Sequence, residues 1–130
     1  MEFSNSLTPI RGDFRYVKKV FNHQDMFDNT QNYVPLGASA DYEHFEIDYV
    51  FQLPISGRSQ NGVISVSVTS PTAAEISGHT YEFPDSEAEI ETIVYTASVS
   101  AGIVQLGVEV SGIGENPTFN YRMATISSAV

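Results

Sequence analysis

The sequence contains no cysteine and no tryptophan. Without thiols the chain can form neither disulfide bonds nor a thiolate zinc site, so packing alone has to stabilise it. Basic residues are also scarce: six Lys and Arg stand against sixteen Asp and Glu, which gives a net charge of -10. A chain with this charge repels the phosphate backbone of nucleic acids, so we expect no nucleic acid partner.

Long hydrophobic runs are missing as well. No stretch approaches the roughly 20 apolar residues that a transmembrane helix needs. The first residues, MEFSNSLTPIRGDF, have Glu2 where a secretory signal has basic residues, and they lack an apolar segment. The sequence therefore predicts a soluble protein with no membrane span and no signal peptide.

Helical periodicity is nearly absent, whereas alternation of apolar and polar residues recurs, which is typical of strands with one buried face. The clearest example is 43–53, whose apolar residues all fall on one face: Phe45, Ile47, Tyr49, Phe51 and Leu53. The same criterion predicts about seven strands in total, at 12–21, 43–53, 62–69, 79–83, 90–99, 103–111 and 118–127.

Seven short strands in 130 residues predict an all-β fold, a single antiparallel sandwich of immunoglobulin-like or jelly-roll topology. The domain is expected to span 12–130, with an extended N-terminal arm at 1–11. Asn61-Gly62 predicts a hairpin turn between 43–53 and 62–69, and Ser100-Ala101-Gly102 predicts a second one.

Two segments lack the alternation that predicts a strand. Ser70, Pro71 and Gly78 have the pattern of a capped helix start and stop, which predicts one helical turn at 71–76. Residues 22–41 show no periodicity but contain several apolar residues, so we expect a long ordered excursion packed on a sheet edge. Loops of this length are often functional.

The polar face of 43–53 carries His44, Glu46 and Asp48 at two-residue spacing, about 7 Å apart along the strand. An adjacent carboxylate favours the imidazolium form, so the row could act as a pH-sensitive contact or contribute metal ligands. A straight row cannot surround a metal, and a neighbouring strand would have to add ligands. The alternative is an ordinary solvated sheet face.

Two clusters of oxygen ligands are candidates for calcium, which binds several carboxylate or amide oxygens. The first is an alternating acidic run: Asp85, Glu87, Glu89 and Glu91. The second is looser and lies in the excursion: Asp25, Asp28, Asn29 and Asn32. Neither has the spacing of a calcium-binding loop, and an acidic strand edge also protects against aggregation.

Enzyme motifs are missing. The sequence has no Gly-x-Ser-x-Gly motif and no glycine-rich phosphate loop, and His23, His44 and His79 lie in unrelated contexts. We therefore expect neither catalysis nor a cofactor. Carbohydrate binding is the more serious possibility, because seven tyrosines are present and sandwiches can offer aromatic rings to sugars, although aromatic residues first of all form cores.

The N-terminal arm offers the best candidate for binding a protein partner. Its apolar residues and the basic residues that follow could form an anchor with a polar rim: Phe3, Leu7, Ile10, Arg11 and Arg15. The arm could equally add to its own sheet. Arg11-Gly12-Asp13 matches an adhesion tripeptide, but the same residues suit a turn into the first strand.

The segments FEIDYVFQLPISG, NGVISVSVTSPTAAEI and FNYRMATISS resemble, in rhythm and composition, small β-sandwich accessory proteins of phage virions, such as capsid decoration or tail-associated proteins. The likeness covers most of 43–128. It implies a non-enzymatic structural protein that is made in the host cytoplasm, self-associates and docks on a larger protein assembly through 1–11 and 22–41. A carbohydrate- or calcium-binding sandwich module is the alternative.

Overall fold

The computed structural model describes residues 22–84 and 93–128, together with the backbone of residues 15–16. These residues form nine strands and no helix: β1 (Arg15–Tyr16), β2 (Asn22–Asp25), β3 (Thr30–Ala38), β4 (Tyr42–Gln52), β5 (Ser59–Ser70), β6 (Ala73–Glu82), β7 (Ile93–Ser100), β8 (Ile103–Val110) and β9 (Thr118–Ser127). No described helix is therefore long and apolar enough to cross a membrane.

The strands form two sheets in which every pairing is antiparallel. In the large sheet β9, β4, β5 and β6 follow one another, and β1 and β2 both pair with the free side of β9. The small sheet has the order β3-β8-β7. The predicted all-β antiparallel sandwich is confirmed.

The core lies between the two sheets. Every second side chain of β4 is fully buried, from Phe45 to Phe51, as the alternation predicts. The small sheet contributes the buried side chains of Val104, Leu106 and Val108 in β8 to the same core. Burying one such side chain contributes about 1.5–3 kcal/mol, which makes this shared layer the main source of stability.

Two turn predictions have different outcomes. At 101–102, Ala101 and Gly102 both have positive φ (50° and 79°), which is the two-residue hairpin turn expected there. The hairpin of β4 and β5 is also confirmed, but its turn lies at 53–58, where Gly57 has φ 81°. Asn61 and Gly62 lie inside β5, opposite Val50 and Tyr49.

Gly62 is required by close packing. A Cβ atom at this position would collide with the backbone oxygen of Thr80 and would lie 2.8 Å from the Tyr49 hydroxyl. Gly62 therefore allows β5 and β6 to approach closely. It does not form the turn with positive φ that the sequence predicts there.

The predicted helical turn at 71–76 is wrong, because β6 begins at Ala73 and continues through the predicted strand at 79–83. Ala74 and Ile76 pack against the core at every second position, and this burial outweighs the local signals. Ser70 and Pro71 form the β turn between β5 and β6 instead. In this turn the Ser70 hydroxyl accepts a hydrogen bond from the Thr72 amide at 3.2 Å.

The excursion predicted at 22–41 is also wrong, because this segment supplies β2 to the large sheet and β3 to the small one. Val34 and Leu36 are buried on the inner face of β3. The third inward position is Asn32, whose buried carboxamide donates to the Val108 carbonyl at 3.2 Å. A polar residue at an inward position and Pro35 within the strand obscured the alternation.

Candidate interaction surface

The outer face of the large sheet carries a connected set of polar side chains. His44 Nε2 lies 2.6 Å from Glu46 Oε2, and the Ser65 hydroxyl donates to the same oxygen at 2.5 Å. Ser67 Oγ lies 3.4 Å from His44 Nδ1 and donates to Ser77 at 2.9 Å. The predicted row on β4 is thus extended across β5 to β6.

Asp48, the third residue of the row, pairs with the next strand on the other side. Arg122 of β9 lies directly opposite it, and the guanidinium Nε donates to Asp48 Oδ2 at 2.9 Å. Both side chains are about one-third exposed, so this ion pair contributes at most about 1 kcal/mol. Its effect is to fix the direction of the Asp48 carboxylate.

The neighbouring strands therefore supply hydroxyls and a guanidinium where a metal site would need further ligands. Over the ranges that the structure describes, no group of three His, Asp or Glu side chains could hold a metal ion. The row is instead a set of mutually bonded polar groups on a solvated sheet face.

The edge of this face is formed by β2. His23 Nδ1 lies 2.8 Å from Asn120 Oδ1, and Nε2 lies 2.8 Å from Asp25 Oδ1. These contacts, with Asn120 foremost and Asp25 second, raise the pKa of the His23 imidazole above its ordinary value. Polar side chains thus interact from β2 through β6.

A shallow groove of about 350 Å³ opens on the same face beside β6. Its lining includes carboxylate, amide and hydroxyl side chains and comprises Asp48, Asn61, Gly62, Val63, Thr80, Tyr81 and Glu82. The Tyr81 side chain is 55% exposed and lies between the rings of His79 (4.9 Å) and Phe83 (5.7 Å). The groove therefore presents hydrogen-bonding side chains on the outer face, whereas the register places the Tyr81 ring on the inner side of β6, on the same face as His79.

A buried polar network lies beneath the groove, between the sheets. Tyr49 is fully buried, and its hydroxyl lies 2.7 Å from His79 Nε2. Burial raises the pKa of the Tyr49 phenol and lowers that of the His79 imidazole. Both groups are therefore neutral near pH 7, so the phenol donates and Nε2 accepts.

Tyr95 of β7 completes this network from the small sheet. Its hydroxyl donates to Gln60 Oε1 of β5 at 2.6 Å, and its ring lies 5.0 Å from that of His79 and 5.6 Å from that of Tyr49. Desolvation by burial raises the pKa of the Tyr95 phenol. Sequence reasoning did not identify this network, although His79, Tyr81 and Phe83 alternate along β6 and its end.

Three loops at one end of the sandwich are joined by carboxylates. Asp28 accepts hydrogen bonds from the amides of Gly114 (2.7 Å), Ile113 (3.1 Å) and Asn29 (2.9 Å). These backbone donors, Gly114 first, lower the pKa of the Asp28 carboxyl. The loop after β2 is therefore held to the loop after β8.

Glu115 connects the second of these loops to the β4–β5 turn. Its carboxylate accepts from the amides of Ile55 (2.7 Å) and Ser56 (3.1 Å). Desolvation acts to raise the pKa of Glu115, but these hydrogen bonds outweigh it and the pKa lies below its ordinary value.

The looser oxygen cluster predicted for calcium is thus divided among separate partners. Asp25 contacts His23, Asp28 binds loop amides, and Asn29 accepts from the Gly112 amide at 3.0 Å. Asn32 bonds to both Phe27 and Val108. These oxygens brace loops and do not form a common ligand set.

The remaining candidate residues fall largely outside the described ranges. This holds for the Arg11-Gly12-Asp13 tripeptide, most of the arm (Phe3, Leu7, Ile10 and Arg11) and the acidic run (Asp85, Glu87, Glu89 and Glu91). Arg15 is described in its backbone, which pairs with Thr125 of β9. The functions predicted for these residues stay predictions.

Comparison with known proteins gives a structural relationship but no sequence relationship. No protein-family model and no curated protein sequence matches the chain. The whole chain superimposes on part of the tailspike protein of Acinetobacter phage vB_ApiP_P1, with a TM-score of 0.51 and 14% sequence identity. The match covers 100% of this chain and 24% of the tailspike chain. At this identity the two proteins share a fold.

Proposed function

We propose that the protein is a non-enzymatic structural and interaction module of a phage virion, which docks on a larger protein assembly. The observation that carries this proposal is the likeness of the entire chain to a segment of a phage tailspike protein. Capsid decoration is one specific form of this role, and attachment to the tail is the other. In either form the chain would be made in the host cytoplasm and leave the cell within the particle.

The surface of the sandwich suits such a role. Its outer polar groups are already bonded to one another, as in the pairs His44–Glu46 and Asp48–Arg122. Side chains held in this way lose less conformational entropy when a partner binds. The loops at one end of the sandwich are likewise held in place, because their backbone amides donate hydrogen bonds to the carboxylates of Asp28 and Glu115.

Purification of virus particles tests the proposal. Particles from the source culture are banded in a density gradient, washed with high salt and probed with antibody against this chain. We expect the chain to band with the particles and to resist the wash. A chain that remains in the soluble fraction would contradict the virion role.

The N-terminal arm is the proposed docking element. Deleting residues 1–10 is expected to abolish association with the particle while leaving the melting temperature unchanged. A large decrease in melting temperature would instead assign the arm to the protein's own sheet.

A second candidate function is carbohydrate binding, and the groove beside β6 favours it. The side chains of Asp48, Asn61 and Glu82 could bind the hydroxyl groups of a sugar. A glycan array probed with and without calcium separates the two functions. The structural role predicts no signal in either condition, and a specific signal lost in Glu82→Gln would support carbohydrate binding.

A further inference from the structure

The described strands leave four sheet edges, and three of them carry features that oppose strand pairing. The β1/β2 edge is divided into two short pairings with β9. The β3 edge contains Pro35 and a register shift, and the β6 edge has two register shifts and the charged residues Glu75 and Glu82. Prolines, charges and bulges of this kind protect edges against unwanted association.

The fourth edge, β7, has none of these features. Its sequence, IVYTASVS, contains no charged residue, proline or glycine. Its pairing with β8 runs without a register shift over eight residues, from Ile93↔Val110 to Ser100↔Ile103. An antiparallel edge strand of this kind presents the N–H and C=O groups of every second residue to an incoming strand.

The edge is also held rigidly from the inside. Tyr95 is anchored to Gln60 of the opposite sheet by the 2.6 Å hydrogen bond and packs against His79. On the outer face of β7 only neutral side chains occur, and Val94 among them is 52% exposed. A partner strand would therefore meet an ordered, uncharged edge.

We infer that β7 is a self-association edge, through which two copies of the chain pair antiparallel and join their small sheets into one continuous sheet. The inference rests on the interaction role proposed above and names one partner for it. Each copy carries a net charge of -10, so two copies repel each other, and salt screening makes this repulsion weakest where the approaching surfaces carry no charge. The β7 edge meets that condition.

The antiparallel direction follows from twofold symmetry, the commonest symmetry of homodimers. A twofold axis perpendicular to the sheet requires residues of the same face to pair. If the axis passes at Thr96, this residue faces Thr96 of the partner, and Val94 faces Ser98. If the axis passes at Ala97 instead, Thr96 faces Ser98 of the partner.

Cysteine trapping tests the pairing directly, because the chain has no cysteine of its own. In Thr96→Cys the single thiol lies on the outer face of β7. The matched control is Gln105→Cys, which lies on the same face of the central strand β8, opposite Ser98. A short thiol-reactive cross-linker is expected to link Thr96→Cys into dimers and to leave Gln105→Cys monomeric, since three strand spacings of about 4.8 Å separate the control thiols.

Light scattering over a concentration series gives the second readout. The wild-type protein is expected to be a dimer, and Thr96→Lys is expected to weaken dimerisation at least tenfold while Gln105→Lys does not. A wild-type monomer, or a dimer that Thr96→Lys leaves intact, would overturn the inference. Since these experiments use purified protein alone, such a result would leave the particle-banding test of the virion role unaffected.

Discussion

The Tyr49 hydroxyl lies 2.7 Å from Nε2 of His79 and connects a fully buried residue of β4 to the edge strand β6. This bond ties the core of the sandwich to β6, the strand that borders the groove, and Tyr81 packs on the His79 ring from the same side of β6. The rigidity of the groove therefore depends on a hydrogen bond beneath it.

Removing the donor of this bond should destabilise the protein. In Tyr49→Phe the ring remains, but His79 Nε2 loses its partner, and we expect a decrease of about 1–2 kcal/mol in the free energy of unfolding. Urea denaturation measures it. Tyr33→Phe is the matched control, because Tyr33 is 49% exposed and its change should stay within about 0.5 kcal/mol. Equal stabilities of the two variants would contradict the role of the bond.

The same histidine should make stability depend on pH. Burial lowers the pKa of His79 below its ordinary value of 6.5, so the unfolded chain binds this proton more readily than the folded protein. The stabilisation is complete above pH 6.5 and is lost as the pH falls through the interval down to the folded-state pKa.

In His79→Gln we therefore expect a smaller loss of stability between about pH 7.5 and 5.5 than in the wild type. His23→Gln is the control with the opposite sign, because its neighbours raise the pKa of His23 and its protonation favours the folded state. Its removal should make the loss at acid pH larger. Identical pH profiles of His79→Gln and the wild type would rule out this explanation.

Two glycines in neighbouring strands should respond differently to alanine. The new Cβ of Gly62→Ala would collide with backbone at Thr80, and such overpacking costs about 1–3 kcal/mol. The Cβ of Gly78→Ala would meet only Ser65, at 3.7 Å, so we expect no loss or a gain of a few tenths of a kcal/mol. Thermal and urea unfolding of both variants measure this contrast, and an equally tolerated Gly62→Ala would be inconsistent with the described packing.

Asp28 should control the order of the loop after β8. Asp28→Ala removes the acceptor for the Ile113 and Gly114 amides, so both amides should exchange their hydrogens faster and the loop should become more sensitive to protease. Asp25→Ala, in which those bonds are intact, is the control. Unchanged exchange at Gly114 in Asp28→Ala would show that the carboxylate does not hold this loop.

Much of the fold could be predicted from the sequence because alternation is a local signal. It located β4, β5, β7, β8 and β9 to within a few residues. It failed for β3, where Asn32 occupies an inward position and satisfies its carboxamide through a strand that lies 76 residues away in sequence. It also failed at the start of β6, since serine and proline favour a helix start and a β turn alike.

The candidate site was only partly accessible to sequence reasoning. The polar row on β4 was predicted, but its partners come from strands whose order the sequence does not specify: Ser65 from β5 and Arg122 from β9. The bond between Tyr49 and His79 spans 30 residues. Such contacts depend on sheet order and register, which no local pattern encodes.

The most direct test of the proposed virion role is the copy number of this chain in purified particles, measured by mass spectrometry with isotope-labelled reference peptides. Only six Lys and Arg interrupt the chain, so a protease that cleaves after acidic residues gives better coverage than trypsin. A structural module should occur in a fixed ratio to the major shell or tail protein in independent preparations. A ratio that varies between preparations and decreases toward zero with washing would contradict the virion role.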